Sequence, residues 1–121
     1  MTHKARRKEE SMEKLLEQTL LYDFYGELLT EHQKQIYEDV VLNDYTLSEV
    51  AQERGISRQG VHDLIKRCNH ILKEYEEKLH LVERFVTVKS RIEEMEQSLR
   101  DTKAPDKEQL IRQLQDILEN L

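Results

Sequence analysis

Six polar residues lie close together in one stretch of the sequence, and their types suit contact with DNA. In a helix that begins after residue 57, Arg58 and Gln59 occupy the first turn, from which side chains can reach the edges of bases. Arginine pairs best with guanine and glutamine with adenine, because each presents two suitably spaced hydrogen-bonding groups. A serine hydroxyl and the free amides of a first helical turn can hold a phosphate, as can basic side chains further along. The candidate DNA-binding residues are Ser57, Arg58, Gln59, His62, Lys66 and Arg67.

Two considerations keep an alternative open for this surface. Asp63 lies in the middle of the same face, where its charge is unfavourable near phosphate unless it accepts a hydrogen bond from a cytosine amine. Exposed polar residues are also what any solvated helix face carries. Each candidate residue therefore has an ordinary interpretation beside the DNA-binding one.

Two short helices joined by a tight turn must position these residues, and residues 46–67 carry the signals for both. Thr46 and Glu49 have the spacing of a capping box, which predicts the start of the first helix. Gly55 supplies the left-handed residue that ends this helix, and Ser57 can cap the next one at once. The pattern is that of a helix-turn-helix, whose second helix can lie in a DNA major groove. The same arrangement occurs in proteins that never bind DNA, so a purely structural role stays open.

Apolar residues at three- and four-residue spacing predict which face of each helix points inward. Ala51 must be small because the second helix crosses close to it, and Val61 fills the angle between the helices. The inner side of the second helix continues through Cys68 and Leu72.

Composition predicts an all-α fold. The 121 residues are 37% hydrophobic and 36% charged, with only 3 glycines and 1 proline, and strand-like alternation is missing. The formal net charge of -6 has the wrong sign for a protein covered in DNA-binding surface. Its distribution is uneven: residues 46–72 hold 4 basic and 3 acidic groups, whereas the segments on either side are net acidic. The protein therefore combines a small basic segment with acidic segments on both sides of it.

Three domains or segments are predicted along the chain. Residues 1–9 form a flexible N-terminal tail, and residues 10–85 form the helix-turn-helix domain. Within this domain one helix spans residues 10–29, and a second begins after Thr30, which has a capping-box partner in Gln33. The recognition helix continues to residue 85, because neither glycine nor proline interrupts it, and breaks at the β-branched residues that follow.

Residues 86–121 are predicted to form a C-terminal helical hairpin. Its last helix opens at Pro105 or Asp106 and carries six apolar residues at helical spacing. Two helices alone rarely make a stable unit, so their apolar faces must pack on the first domain or on a second chain. Homodimerisation through this hairpin is therefore expected, and it would pair two helix-turn-helix motifs on a two-fold DNA site. The six apolar residues are Leu110, Ile111, Leu114, Ile117, Leu118 and Leu121.

The sequence offers little for catalysis or cofactor binding. Cys68 is the only cysteine, which excludes an internal disulfide and a cysteine-based zinc site. The five histidines lack zinc-site spacing, and no glycine-rich phosphate loop is present. We expect no enzyme activity, no cofactor and no metal. No apolar run reaches the length of a membrane span and no signal peptide is present, so a cytoplasmic location is expected.

With these residues in view, the sequence resembles the YlxM family of small helix-turn-helix proteins. The resemblance rests on YDFYGELLT at residues 22–30, LNDYTLSEVAQERGISRQGVHDLIKR at residues 42–67 and KEYEEKL at residues 73–79, and it fades after Phe85. The helix-turn-helix is also similar to the fourth region of bacterial sigma factors, which reads promoter DNA. The resemblance implies an all-helical fold, a dimer and a role linked to the signal recognition particle. The sequence departs from the family pattern at Gly60 and His62.

Two functional hypotheses follow. In the first, the protein is a dimeric DNA-binding regulator that reads DNA with the second helix of the motif. In the second, it is an adaptor that modulates the signal recognition particle machinery through protein or RNA contacts. Salt dependence separates them, because phosphate contacts weaken steeply as salt rises and an apolar interface does not.

Overall fold

The computed structural model of the protein describes residues 3–101, 103 and 106–121, and in this part of the chain it has six α-helices and no strand. A 3₁₀ turn (Gly26–Leu28) follows the first helix and a π-helical turn (Glu38–Leu42) follows the second. The chain forms two compact units, Met1–Leu79 and His80–Leu121. The predicted all-α fold with a helix-turn-helix is confirmed. The helices are α1 (His3–Tyr25), α2 (Glu31–Tyr37), α3 (Leu47–Arg54), α4 (Arg58–Leu79), α5 (Leu81–Asp101) and α6 (Lys107–Glu119).

Helix α2 begins where the sequence predicts. The Thr30 hydroxyl accepts a hydrogen bond from the Gln33 amide (3.2 Å), and the Gln33 side chain accepts one from the Thr30 amide (2.9 Å). This reciprocal pair satisfies two donors that a helix start leaves open. The helical path then widens into the π-helical turn, where the Asn43 amide donates to the carbonyl of Glu38 five residues earlier (2.9 Å).

The core of the first unit lies between α2, α3 and α4. Ile36 from α2, Val50 and Ala51 from α3, and Val61 from α4 form one buried cluster. Val61 is fully buried and Ala51 nearly so, which agrees with their predicted positions at the crossing of α3 and α4. The cluster fixes the angle between the two helices of the motif. Partly buried residues pack around it: Val40, Leu47, Leu64 and Ile65.

Tyrosines attach α1 to the rest of this unit. The Tyr22 ring stacks on Tyr37 at 5.4 Å between centroids, and the Tyr25 ring stacks on Tyr75 at 6.1 Å. The Tyr37 hydroxyl donates to Oδ1 of Asn69 on α4 (2.7 Å). These aromatic residues therefore hold helices together within the first unit.

Gly26 is required by this aromatic packing. A Cβ at this position would lie 2.8 Å from the Tyr22 ring, which is closer than real Cβ contacts allow. The glycine thus lets the chain turn tightly from α1 into α2 against the ring.

The break in the long helical path lies at His80, not at residues 86–88 as predicted. His80 adopts a left-handed conformation with φ of 56°, which stops α4 at Leu79, and its carbonyl accepts the first hydrogen bond of α5 from Arg84 (3.0 Å). Histidine is among the residues that tolerate positive φ. The β-branched stretch stays helical because each such residue lowers helix stability by only a few tenths of a kcal/mol. The division between the units therefore comes at 79/80, earlier than the expected 85/86.

The first helix also starts earlier than predicted. Helix α1 begins at His3, whereas the sequence places residues 1–9 in a tail and the helix start at residue 10. Residues 4–9 are lysine, alanine, arginine and glutamate, and all of these residue types favour helix.

The second unit consists of α5 and α6. Asp106 caps α6 by accepting a hydrogen bond from the Glu108 amide (3.1 Å), which confirms Asp106 as the opening residue, whereas Pro105 lies outside the described residues. Arg91 of α5 forms an ion pair with Asp116 of α6, and Ile117 is buried. The predicted C-terminal helical pair is present, with a longer first helix than expected.

None of the helices in the described part of the chain combines the length and the apolar character that a membrane span requires.

Candidate nucleic-acid interface

The turn between α3 and α4 is built by local hydrogen bonds. The Thr46 hydroxyl accepts from the Glu49 amide (3.1 Å), and the Glu49 carboxylate accepts from the Thr46 amide (3.4 Å), so α3 has the predicted capping box. Gly55 ends α3 with φ of 68°, and the Ile56 amide donates to the carbonyl of Ala51 (3.1 Å). A Cβ at Gly55 would meet nothing within 4 Å. The backbone conformation, and not space, is what requires glycine there.

Ser57 starts the second helix. Its hydroxyl oxygen accepts a hydrogen bond from the Gly60 amide (2.9 Å), and its carbonyl accepts from the Val61 amide (3.1 Å). A Cβ at Gly60 would lie 3.1 Å from this hydroxyl oxygen, so an alanine there would crowd the cap. Gly60 therefore leaves room for the capping hydroxyl. The hydrogen of the exposed Ser57 hydroxyl can still donate to a phosphate.

The structure brings three of the six predicted residues into one groove. Arg58, Gln59 and His62 line it together with Leu47 of α3, and its volume is about 370 Å³. All three predicted side chains are exposed. They follow one another along the first turns of α4, which is the part of a recognition helix that contacts base edges.

Arg67 lies apart from that group, in a second groove of about 360 Å³. This groove runs between the start of α2 and the middle of α4, and its α2 side is formed by Thr30, His32 and Gln33. Lys66 is exposed and lines neither groove. The predicted residues thus spread over two sides of α4, with Arg58, Gln59 and His62 in one groove and Arg67 in the other.

Sequence reasoning missed the α2 contribution to this surface. His32 and Gln33 lie 35 and 34 residues before Arg67, and only the packing of α2 against α4 brings them to the same groove. The capping box at Thr30 signals a helix start but gives no indication of which helix it faces. Leu47 of α3 lines the other groove and also packs against the core cluster.

A hydrogen bond within α4 was also missed. The Gln59 side-chain amide donates from Nε2 to Oδ1 of Asp63 (2.9 Å), and the same oxygen lies 3.7 Å from Nδ1 of His62. Residues four apart face each other on a helix, so the Gln59 and Asp63 spacing was the available signal. Asp63 therefore contacts a candidate base-reading residue directly.

The basic groups of this segment fall into two classes. Arg54 is engaged within the unit, because it donates to Oε1 of Gln35 (2.9 Å) and to Oδ2 of Asp39 (3.4 Å). Arg58, Lys66 and Arg67 make no ion pair in the part of the chain that the structure describes. These three positive charges are exposed and available to phosphate.

Cys68 is unsuited to nucleophilic chemistry. It is fully buried in α4, and burial raises the pKa of its thiol to about 11, against a smaller opposing effect of the Arg67 charge. The thiol is therefore neutral near pH 7, and the thiolate is the nucleophilic form. Cys68 acts as a small apolar core residue.

Comparison with known proteins covers most of the chain. The model of the UPF0122 family, which consists of helix-turn-helix proteins, YlxM / p13 like, matches residues 12–117. The chain belongs to the UPF0122 family. The resemblance to YlxM proteins that the sequence motifs indicated is thereby confirmed.

Relatives in this family come from several bacteria. A UPF0122 protein of Caldanaerobacter subterraneus subsp. tengcongensis is 48% identical over 81 residues, covering 67% of this chain and 69% of the relative. A UPF0122 protein of Lactococcus lactis subsp. cremoris is 41% identical over 106 residues, covering 88% of this chain and 91% of the relative. One of Halalkalibacterium halodurans is 40% identical over 110 residues, covering 91% and 95%.

The family match extends further than the sequence motifs suggested. The resemblance was expected to fade after Phe85, but the UPF0122 match continues to residue 117, within α6. The apolar pattern of α5 and α6 is repetitive and lacks distinctive residues, so it carries little signal in a single sequence. The C-terminal helical pair is therefore part of what this chain shares with its family.

Proposed function

We propose that this UPF0122 protein is a DNA-binding regulator without enzyme activity of its own, acting in the cytoplasm, and that α4 enters the DNA major groove as in the fourth region of sigma factors. The observation that carries the proposal is the first turn of α4. There, the Ser57 cap and the α3 brace hold Arg58 and Gln59 exposed, side by side, at the start of the second helix of a helix-turn-helix. In such motifs this position contacts base edges.

Charge supports the same assignment. The protein carries a net charge of -6, so a DNA-facing surface must be local. Arg58, Lys66 and Arg67 supply it on one helix without competing ion pairs in the described residues. In this arrangement Arg58 and Gln59 contact bases, with His62 beside them, and Ser57, Lys66 and Arg67 contact phosphates.

We further propose that the protein is a homodimer through the second unit. Two leucines of α6 are strongly exposed, Leu114 (51%) and Leu118 (66%), and so is Leu121 (73%), just after the helix. Leu114 and Leu118 are four residues apart and therefore share one side of α6, and an apolar surface of this kind usually marks an interface. A two-fold dimer would carry two α4 helices to two half-sites of a symmetric DNA sequence.

The same apolar side of α6 favours a second candidate function. It also suits an adaptor whose partner is a component of the signal recognition particle, as the resemblance to YlxM implies. In that case the exposed leucines bind the partner and the helix-turn-helix serves as a scaffold or RNA contact. The regulator remains our first proposal because an adaptor of this kind does not require exposed Arg58 and Gln59.

Binding measurements separate the two functions. Fluorescence anisotropy of labelled random-sequence DNA, and of the RNA and protein of the signal recognition particle, is measured with the purified protein at low and at physiological salt. If the protein is a DNA-binding regulator, the logarithm of its association constant for DNA should fall linearly with the logarithm of the salt concentration. Arg58→Ala with Lys66→Ala should abolish binding at physiological salt and make this dependence on salt shallower by about 1, the contribution of the Lys66 phosphate contact.

The matched control is Lys107→Ala with Arg112→Ala. It removes the same charges from exposed positions on α6 and should leave DNA binding unchanged. Equal losses in both double variants would mean that only overall charge matters and would contradict the assigned surface. Absence of DNA binding at low salt, together with binding of a particle component, would overturn the regulator and establish the adaptor.

A further inference from the structure

Asp63 occupies an unusual position on the proposed DNA-binding surface. It is an exposed carboxylate that lines the second groove together with Arg67, and it reaches Gln59, which lines the groove that holds Arg58. An acidic group there opposes phosphate binding, because it lies among the charges that attract DNA.

A direct hydrogen bond joins Asp63 to Gln59. The Gln59 amide group has two N–H donors and one carbonyl acceptor, and Asp63 takes one donor at 2.9 Å. The second N–H and the carbonyl oxygen stay available, and these are the two groups that pair with the edge of adenine. Asp63 therefore fixes the orientation of the Gln59 amide before DNA arrives. A free glutamine side chain would have to lose that rotational freedom on binding.

The negative charge has a second consequence. Non-specific DNA binding comes almost entirely from phosphate attraction, so a carboxylate that shares a groove with Arg67 weakens it for every sequence. A correct base contact through Gln59 restores the lost affinity only at the matching site. Orientation and repulsion thus act in the same direction, toward a larger ratio of specific to non-specific affinity.

We propose that Asp63 is the specificity-determining residue of this surface, acting as a positioning residue for Gln59 and as a repulsive charge against non-matching DNA. The inference rests on the proposed DNA-binding function and adds the residue that sets its selectivity. Two substitutions separate the two effects. Asp63→Asn removes the charge and keeps an oxygen that can accept from Gln59, whereas Asp63→Ala removes both.

The experiment starts with selection of preferred sequences from random DNA by the full-length wild-type protein. Affinities for the selected site, for its single-base variants and for random DNA are then measured for wild type, Asp63→Asn, Asp63→Ala, Gln59→Ala and the double variant Gln59→Ala with Asp63→Ala. Both Asp63 variants should bind random DNA several-fold more tightly at low salt. Asp63→Ala should also reduce base preference at one position of each half-site by about tenfold, as expected for one lost base contact.

Gln59 serves as the internal test of positioning. Gln59→Ala should lose the same base preference, and the double variant should lose no more than either single one, because Asp63 acts through Gln59. Asp63→Asn should retain that preference. Since both side chains are exposed, thermal unfolding should be unchanged in all variants.

Each contrary result points to a different failure. Base preference that survives in Asp63→Ala would overturn the positioning role, and unchanged affinity for random DNA in both Asp63 variants would overturn the repulsive role. Wild-type binding without any sequence preference would overturn specificity determination while leaving DNA binding intact. A wild-type protein that binds no DNA at low salt would overturn the proposed function itself.

Discussion

In the unit Met1–Leu79, Ile36, Val50 and Val61 are fully buried, whereas in the unit His80–Leu121 Ile117 alone among the described residues counts as a buried apolar side chain. The first unit surrounds its core with α2, α3 and α4, and tyrosines attach α1 to it. The second unit has two helices, each with apolar side chains that remain exposed, Ile92 on α5 and Leu118 on α6 among them. Two packed helices provide too few neighbours to cover both apolar faces.

In the proposed function, this difference separates two tasks, DNA recognition and association. A recognition helix must keep its side chains at fixed positions, and the first unit achieves this by burying the inner side of α4. An association surface must instead leave apolar area uncovered until a partner arrives. The comparison therefore predicts which changes affect folding of the first unit and which affect association.

The largest expected effect is on the core of the first unit. Ile36→Ala should lower the free energy of unfolding by about 2–5 kcal/mol, because it removes buried methyl groups and leaves a cavity. The matched change in the second unit is Ile92→Ala, at a half-exposed position. This change should lower the free energy of unfolding by less than about 1 kcal/mol. Chemical denaturation followed by circular dichroism measures both. Equal effects would show that the side chains of Ile36 and Ile92 are buried to a similar degree in solution.

The second prediction concerns association through α6. Leu114→Glu with Leu118→Glu should raise the dimer dissociation constant at least about 100-fold, because carboxylates replace two apolar contacts. Light scattering after size-exclusion chromatography gives the mass. The control, Met12→Glu with Leu16→Glu, alters similarly exposed residues on α1 and should leave the dimer intact. Loss of the dimer in the control instead would assign the interface to α1.

A third prediction compares the two left-handed residues that end helices. Gly55→Ala should destabilise the protein by about 1–2 kcal/mol, because a side chain disfavours φ of 68° even where space is free. His80→Gly at φ of 56° should change stability by less than about 0.5 kcal/mol, since relief of the left-handed conformation is offset by greater freedom of the unfolded chain. Thermal melts test both. A neutral Gly55→Ala would contradict the conformational role of this glycine.

The smallest effect appears only at high pH and belongs to the first unit, which contains all five tyrosines. Burial raises the pKa of Tyr37, so the unfolded chain releases its proton near pH 10 while the folded protein keeps it. Stability from this group is complete below pH 10 and is lost as pH rises further, with a slope of at most about 1.4 kcal/mol per pH unit. Denaturation between pH 9 and 11.5 measures the slope.

Tyr37→Phe is the control for this pH dependence. Without the Tyr37 hydroxyl, the free energy of unfolding should fall less steeply with pH, because the contribution of one proton is gone. The substitution also removes the hydrogen bond to Asn69 and so lowers stability at every pH. An unchanged slope would mean that Tyr37 ionises equally in the folded and unfolded chains. Tyr22→Phe should flatten it as well, because burial, and then the hydrogen bond to Glu38, raise the pKa of Tyr22.

Much of the first unit was predictable because its signals act over three or four residues. The starts of α2 and α3, the left-handed Gly55 and the Ser57 cap all follow from neighbouring side chains bonding to nearby amides. The break at His80 was not predictable, since histidine carries only a weak preference for positive φ, and β-branched residues were given too much weight. The six predicted DNA-binding residues lie exposed as expected, Ser57 just before α4 and the other five on it, and their role stays a prediction.

The sequence by itself determined the all-α class, the helix-turn-helix and the family, because capping boxes, glycine position and apolar periodicity are local properties of the chain. Only the tertiary structure decided that Arg58, Gln59 and His62 share one groove while Arg67 faces Thr30, His32 and Gln33 in another. Such proximity depends on how α2 and α3 pack against α4. That packing follows from the joint burial of Ile36, Val50 and Val61, residues far apart in sequence whose meeting no local rule specifies.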